Sequence, residues 1–105
     1  MSQYQGHYSY SQKVISDWNN TQSGVYYCGF IAQGGTLTPL YIGSAVGKEG
    51  IRGRLLQHLT DDNWPDVTHF GYRVCDTAQE ATDLESAEIA KYKPKYNIQG
   101  KSYGY

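Results

Sequence analysis

Cysteine is scarce in this sequence, and the two cysteines present are not arranged as a pair or as metal ligands. Cys28 and Cys75 stand alone inside β-prone runs of the 105-residue chain, with no Cys-x-x-Cys motif and no Cys/His cluster. A disulfide framework or a structural zinc site would require such spacing. We therefore expect two buried thiols in a reducing compartment.

Long apolar runs are also absent. No stretch approaches the roughly 18 consecutive apolar residues of a membrane-spanning helix. Residues 1–5 show no basic region leading into an apolar segment, which a secretory signal would have. No internal repeat or linker divides the chain. These features predict a single cytoplasmic domain that does not act in a membrane.

The chain also lacks a large excess of either charge, because nine lysines and arginines against ten acids give a net charge of only -1. The distribution is nevertheless uneven. Residues 61–90 hold eight of the ten acids, whereas residues 91–101 hold four lysines and no acid. Local positive patches can bind a polyanion even when the total charge is near zero. Ordinary solvated lysines are the alternative interpretation.

The sequence does contain a regular succession of strand-like and helix-like patterns. Strands are predicted at residues 24–32, 39–44 and 67–75, and helices at residues 50–60 and 77–92. The expected fold is therefore α+β, with a small central three-stranded antiparallel sheet flanked by helices in the order β-β-α-β-α.

Residues 1–20 are rich in Gln, Ser and Tyr and carry few aliphatic side chains. This composition predicts a weakly ordered arm, with a short helix near its end. Its tyrosines would pack against the sheet or stack on bases. The predicted organisation is thus an arm at 1–20, a domain at 21–99 and a tail at 100–105.

Two tripeptides, Gly24-Val25-Tyr26 and Tyr41-Ile42-Gly43, lie in the first two predicted strands. On adjacent strands the two tyrosines would lie side by side, and the glycines would allow close approach of a backbone or ligand. Taken alone, the tyrosines would more often be aromatic residues that pack on a sheet.

Both predicted helices carry polar residues beside or within their apolar faces, which makes these residues candidates for a functional site. Arg54 and His58 are four residues apart, beside the apolar stripe of the first helix. Glu85 falls within the apolar face of the last helix, and Glu88 lies beside it. An acid there is costly unless it is paired or bound to a cation. The helical pattern alone does not decide between Glu85 and Glu88.

In order and spacing these motifs resemble the GIY-YIG nuclease family over residues 24–97. The resemblance implies a metal-dependent endonuclease that hydrolyses DNA phosphodiester bonds. The catalytic residues it implies are Tyr26, Tyr41, Arg54, His58, Glu85 and Asn97.

Each implied residue type suits phosphodiester hydrolysis. Glu85 offers a hard oxygen ligand to one Mg²⁺ or Mn²⁺ ion per site, and the resemblance favours it over Glu88. Arg54 offers a charged fork to the scissile phosphate. One of the two tyrosines would act as the base, and the sequence leaves open which one. The basic patches of the sequence offer Lys48, Arg52, Lys93 and Lys95 as phosphate contacts without base specificity.

One position departs from the family pattern, since Ser44 stands where many members carry a lysine. Two other functions stay open at this point, the first because of Ser44 and the weak net charge, and the second because the catalytic residues alone do not exclude it. One is a catalytically weak nucleic-acid-binding module with the same fold, and the other is an RNA-directed nuclease. The expected partner is DNA, and the oligomeric state is left open, a homodimer included.

Overall fold

A computed structural model of the protein describes residues 3–62 and 64–98. A helical turn at residues 95–98 follows the last long helix. The helices and strands are β1 (Gln5–Ser9), α1 (Gln12–Asp17), β2 (Gly24–Ile31), β3 (Leu37–Ala45), α2 (Gly50–Asp61), β4 (His69–Val74) and α3 (Ala78–Tyr92).

The four strands form one antiparallel sheet in the order β1-β4-β2-β3. The predicted α+β class is confirmed, but the prediction of three strands is wrong. The additional strand, β1, comes from the segment predicted to be a weakly ordered arm. Tyr8 pairs with Phe70 across β1 and β4, and their ring centroids are 5.5 Å apart. The arm is thus held by aromatic packing, which its low aliphatic content did not reveal.

The boundaries predicted for the arm, domain and tail are not tested by the structure. Residues 100–105 of the predicted tail lie outside the described residues, as do residues 1–2 of the predicted arm. Among the described residues, no helix is long and apolar enough to cross a membrane. Cys28 and Cys75 are free and buried, as the sequence predicts.

Each face of the sheet carries its own hydrophobic core, because side chains alternate between the faces along a strand. Tyr26 and Cys28 of β2 face α1 and α2, whereas Val25 and Tyr27 face α3. Other members of the first core are Ile15, Ala45, Ile51, Leu55, Val67, Phe70 and Tyr72. The second core also contains Leu37, Ile42, Cys75 and Ala81.

The position of β3 determines where polar side chains of different elements can meet. This strand lies at one edge of the sheet, α2 packs on one face, and α3 packs on the other. The start of helix α3 is fixed by its N-cap residue, Thr77, whose hydroxyl accepts a hydrogen bond from the Glu80 amide at 3.0 Å. Residues from α2, β3 and α3 therefore surround a single sheet edge.

Candidate active site

The two motif tyrosines lie on one face of the β2–β3 hairpin. Tyr26 pairs with Gly43 and Tyr41 pairs with Cys28, and the centroids of the tyrosine rings are 6.1 Å apart. A Cβ atom at Gly43 would lie 2.5 Å from the Tyr26 hydroxyl oxygen and 3.0 Å from the Tyr41 ring. The second tripeptide therefore ends in glycine because the Tyr26 phenol lies directly over that residue.

The glycine of the first tripeptide has a different reason. A Cβ atom at Gly24 would lie 2.1 Å from the carbonyl oxygen of Arg73 in β4. No side chain fits there without separating β2 from β4. Gly24 thus serves the sheet, whereas Gly43 serves the arrangement of the tyrosines.

A hydrogen-bonded chain of three side chains begins at Tyr26. Its side chain is completely buried, and the hydroxyl oxygen lies 2.7 Å from Nε2 of His58. On the other side of the same ring, Nδ1 lies 2.6 Å from Oδ2 of Asp62. Sequence reasoning identified Tyr26 and His58 but missed Asp62. The spacing could have pointed to Asp62, because it follows His58 by four residues at the end of the predicted helix, and side chains four apart on a helix are neighbours.

Arg54 is an exposed residue of α2 whose charge acts on both tyrosines. Burial raises the pKa of Tyr26 well above its ordinary value, and the Arg54 guanidinium opposes this shift. Burial also raises the pKa of Tyr41, again against the effect of Arg54. Both phenols are therefore protonated at neutral pH, and Arg54 is the nearby charge that favours loss of a proton.

The structure separates the two acids that the helical pattern could not. Glu85 approaches the β3 edge, where its Oε1 accepts a hydrogen bond from the Ser44 hydroxyl at 2.9 Å. Burial raises the pKa of Tyr41 and a hydrogen bond with Tyr26 raises the pKa of Arg54, and the negative charge of Glu85 adds to both shifts. Ser44 is therefore the residue that holds Glu85 at the edge strand.

Glu88 lies on the same side of the sheet as Glu85, but it reaches β2 and β4 instead of the β3 edge. Its Oε1 accepts a hydrogen bond from the Tyr27 hydroxyl at 2.8 Å and lies 3.5 Å from a guanidinium nitrogen of Arg73. These three side chains line a cavity of about 370 Å³. Glu88 thus binds Tyr27 and Arg73, away from the Tyr26–His58 pair.

Near the tyrosines, Glu85 is a carboxylate that could hold a hard cation retaining much of its water. Within residues 3–62 and 64–98, no three or more His, Cys, Asp or Glu residues are grouped so that they could hold a metal ion. Glu85 offers a single carboxylate, with Ser44 bound to one of its oxygens. Mg²⁺ commonly binds through one or two carboxylates plus water and substrate phosphate.

Asn97 joins the chain after α3 to the edge strand. Its Oδ1 accepts a hydrogen bond from the Ile42 amide, and its Nδ2 donates one to the Ile42 carbonyl, both at 2.8 Å. Ile42 is the middle residue of the second tripeptide. Asn97 therefore fixes the backbone between Tyr41 and Gly43.

A tryptophan that sequence reasoning did not single out covers the site. The Trp64 ring centroid lies 4.9 Å from that of Tyr41, nearly parallel to it, and 4.8 Å from that of His58. It also stacks with Tyr96, at a centroid distance of 5.5 Å. Trp64 lies in the connection after α2, where no periodic pattern points to a packed position.

The four predicted phosphate contacts have different environments. Lys48 and Lys93 are exposed, and Lys95 forms an ion pair with Asp66 at 3.1 Å. Arg52 instead donates to the carbonyl oxygens of Trp18 at 2.7 Å and Ser16 at 2.9 Å, which joins α1 to α2. Arg52 therefore has a structural role in joining the two helices. DNA contacts by all four residues stay predictions.

Comparison with known proteins gives one informative match. Over 87 residues the chain is 36% identical to UvrABC system protein C of Syntrophotalea carbinolica. The match covers 74% of this chain but 13% of the relative, so the chain spans about an eighth of that protein. No family model matches the chain.

Proposed function

We propose that this protein is a metal-dependent endonuclease of the GIY-YIG family that hydrolyses DNA phosphodiester bonds. The observation that carries the proposal is the hydrogen bond between the buried Tyr26 hydroxyl and His58, in a group that also contains Tyr41, Arg54 and Glu85. The similarity to UvrABC system protein C supports a nuclease-like role in DNA processing.

In this proposal Tyr26 is the base, because its hydroxyl is the one hydrogen-bonded to an imidazole nitrogen. The tyrosine oxygen takes a proton from the attacking water while its own proton passes to Nε2 of His58. Water oxygen bonds to phosphorus, the phosphorus–oxygen ester bond breaks, and the leaving oxygen takes a proton from solvent. Arg54 stabilises the negative charge on the phosphoryl oxygens.

Glu85 would hold one Mg²⁺ or Mn²⁺ ion, and the ion would supply further positive charge at the scissile phosphate. Ser44 orients the carboxylate through its hydroxyl, and Asn97 keeps the neighbouring backbone in place. Lys48, Lys93 and Lys95 would contact phosphates along the DNA without reading the bases.

The test is incubation of the purified protein with supercoiled DNA, single-stranded DNA and RNA of matched length. Each substrate is given Mg²⁺, Mn²⁺ or a chelator. We expect cleavage of DNA with a metal and none with the chelator. Binding in a shift assay without any cleavage would contradict the proposal in favour of a binding module. Preferential cleavage of RNA would contradict the choice of DNA.

A matched pair of substitutions in α3 tests the metal assignment. We expect Glu85→Gln to reduce the metal-dependent cleavage rate by at least about 100-fold, because the carboxylate charge is lost. Glu88→Gln has the same chemistry one helical turn later and should retain most of the activity, since Glu88 is held by Tyr27 and Arg73. Thermal unfolding of both variants controls for stability. Equal losses would contradict the assignment of Glu85.

A further inference from the structure

Asp62 completes the chain of side chains that begins at Tyr26. It caps the C-terminus of α2, and its backbone amide donates to the His58 carbonyl at 2.9 Å. Its carboxylate oxygen lies 2.6 Å from Nδ1 of His58. The cap fixes the backbone of Asp62, so its carboxylate is held next to the imidazole without a long side chain having to be ordered.

The chemistry of the partners decides where the imidazole carries its proton. An ionised carboxylate can only accept hydrogen bonds, so Nδ1 must be the protonated nitrogen of neutral His58. Nε2 then presents a lone pair, and it lies 2.7 Å from the Tyr26 hydroxyl oxygen. The opposite tautomer would place an N–H on Nε2 and leave Asp62 facing a lone pair.

The imidazole also has little freedom to turn. Its side chain is 11% exposed, and the rings of Tyr41 and Trp64 lie 5.0 Å and 4.8 Å from it. Packing therefore fixes the plane of the ring, while Asp62 fixes its proton. Asp62 itself is 40% exposed, so it reaches the ring from the solvent side and does not enter the core.

We infer that Asp62 is a positioning residue that holds His58 as the Nδ1–H tautomer, so that Nε2 is free to receive the proton of Tyr26. This inference rests on the proposed function for its role in hydrolysis. The tautomer itself is inferred from the contact between Nδ1 and the Asp62 carboxylate and can be measured without any cleavage. Asp62 does not touch the tyrosine or the substrate in this role.

The experiment is long-range ¹H–¹⁵N correlation spectroscopy of the ¹⁵N-labelled protein at neutral pH. His58 is assigned by comparison with His58→Gln. We expect a pyrrole-type Nδ1 and a pyridine-type Nε2 in the unaltered protein and in Asp61→Ala. Asp61 is the exposed neighbouring acid and serves as the matched control. In Asp62→Ala we expect the proton to be shared with Nε2. A His58 protonated on Nε2 in the unaltered protein, or unchanged by Asp62→Ala, would overturn the inference.

The same variants are then assayed for DNA cleavage. We expect Asp62→Ala to lower kcat roughly tenfold to 100-fold, which is part of what a positioned proton-transfer group contributes, with little change in KM. Asp61→Ala should match the unaltered protein. A raised KM with unchanged kcat would overturn the positioning role. If the tautomer is as expected but no DNA is cleaved, the assignment of Asp62 stands and the proposed function fails.

Discussion

The position of the Tyr26 hydroxyl depends on the absence of one methyl group at Gly43. The phenol crosses from β2 to β3 and occupies the space that a Cβ atom would need. Because the neighbouring Tyr41 ring fills the adjacent space, the Tyr26 ring cannot move aside freely. Gly43 is therefore as much a part of the site as the tyrosine it supports.

For this reason we expect Gly43→Ala to displace the Tyr26 hydroxyl from His58. The free energy of unfolding should fall by about 1–3 kcal/mol, which is typical of overpacking at a buried position. Single-turnover cleavage should fall further than stability alone explains. Urea unfolding and single-turnover rates measured on the same preparation check both parts. A variant that keeps its stability and its rate would show that the phenol does not need this space.

At the residue scale, sequence reasoning could go as far as residue types and spacing allow. It brought together Tyr26, Tyr41 and His58, which the structure places in contact. It could not separate Glu85 from Glu88, because both lie on one side of α3 and the choice depends on which strand each side chain reaches. That depends on the packing of α3 across the sheet, which a helical pattern does not contain.

At the scale of elements, the site is assembled around an edge strand. Helix α2 supplies Arg54 and His58 on one face of the sheet, and α3 supplies Glu85 from the other. The local patterns of β2, β3, α2 and α3 predicted these elements well, since each has its own periodicity or cap. Strand β1 was missed because its pairing with β4 is nonlocal and its side chains are exposed.

Two basic residues near the start of α2 are expected to have different roles, one in stability and the other in DNA binding. Arg52 joins α1 to α2 through two carbonyl oxygens, so Arg52→Ala should lower the free energy of unfolding by about 1–3 kcal/mol. Lys48 is exposed, so Lys48→Ala should leave stability unchanged and weaken DNA binding. Urea unfolding and fluorescence anisotropy with labelled DNA test the pair. A stable Arg52→Ala variant with weakened DNA binding would contradict this division.

At the scale of the whole molecule, charge distribution matters more than the net charge of -1. Exposed lysines lie before α2 and after α3, at the ends of the two helices that carry the site residues. Most of the acids lie elsewhere along the chain, between residues 61 and 90. A polyanion would therefore be held by a few lysines, and its affinity would depend on salt.

We expect this dependence to be steep for so small a protein. If Lys48, Lys93 and Lys95 each neutralise one phosphate of duplex DNA, affinity should fall about 40-fold between roughly 50 and 200 mM salt. Anisotropy titrations in the presence of a chelator measure binding without cleavage. An affinity that does not change with salt would show that phosphate contacts do not hold the DNA.

The role of Tyr26 as the base is tested most directly by comparing two neighbouring tyrosines of one strand. Tyr26 faces His58 and Tyr27 faces Glu88 on the opposite side of the sheet, so Tyr26→Phe and Tyr27→Phe remove the same atom from the same strand. The measurement is the single-turnover rate of supercoiled DNA cleavage with Mg²⁺. We expect a loss of at least about 100-fold for Tyr26→Phe and a rate near that of the unaltered protein for Tyr27→Phe. Equal losses, or a larger loss for Tyr27→Phe, would contradict this role of Tyr26.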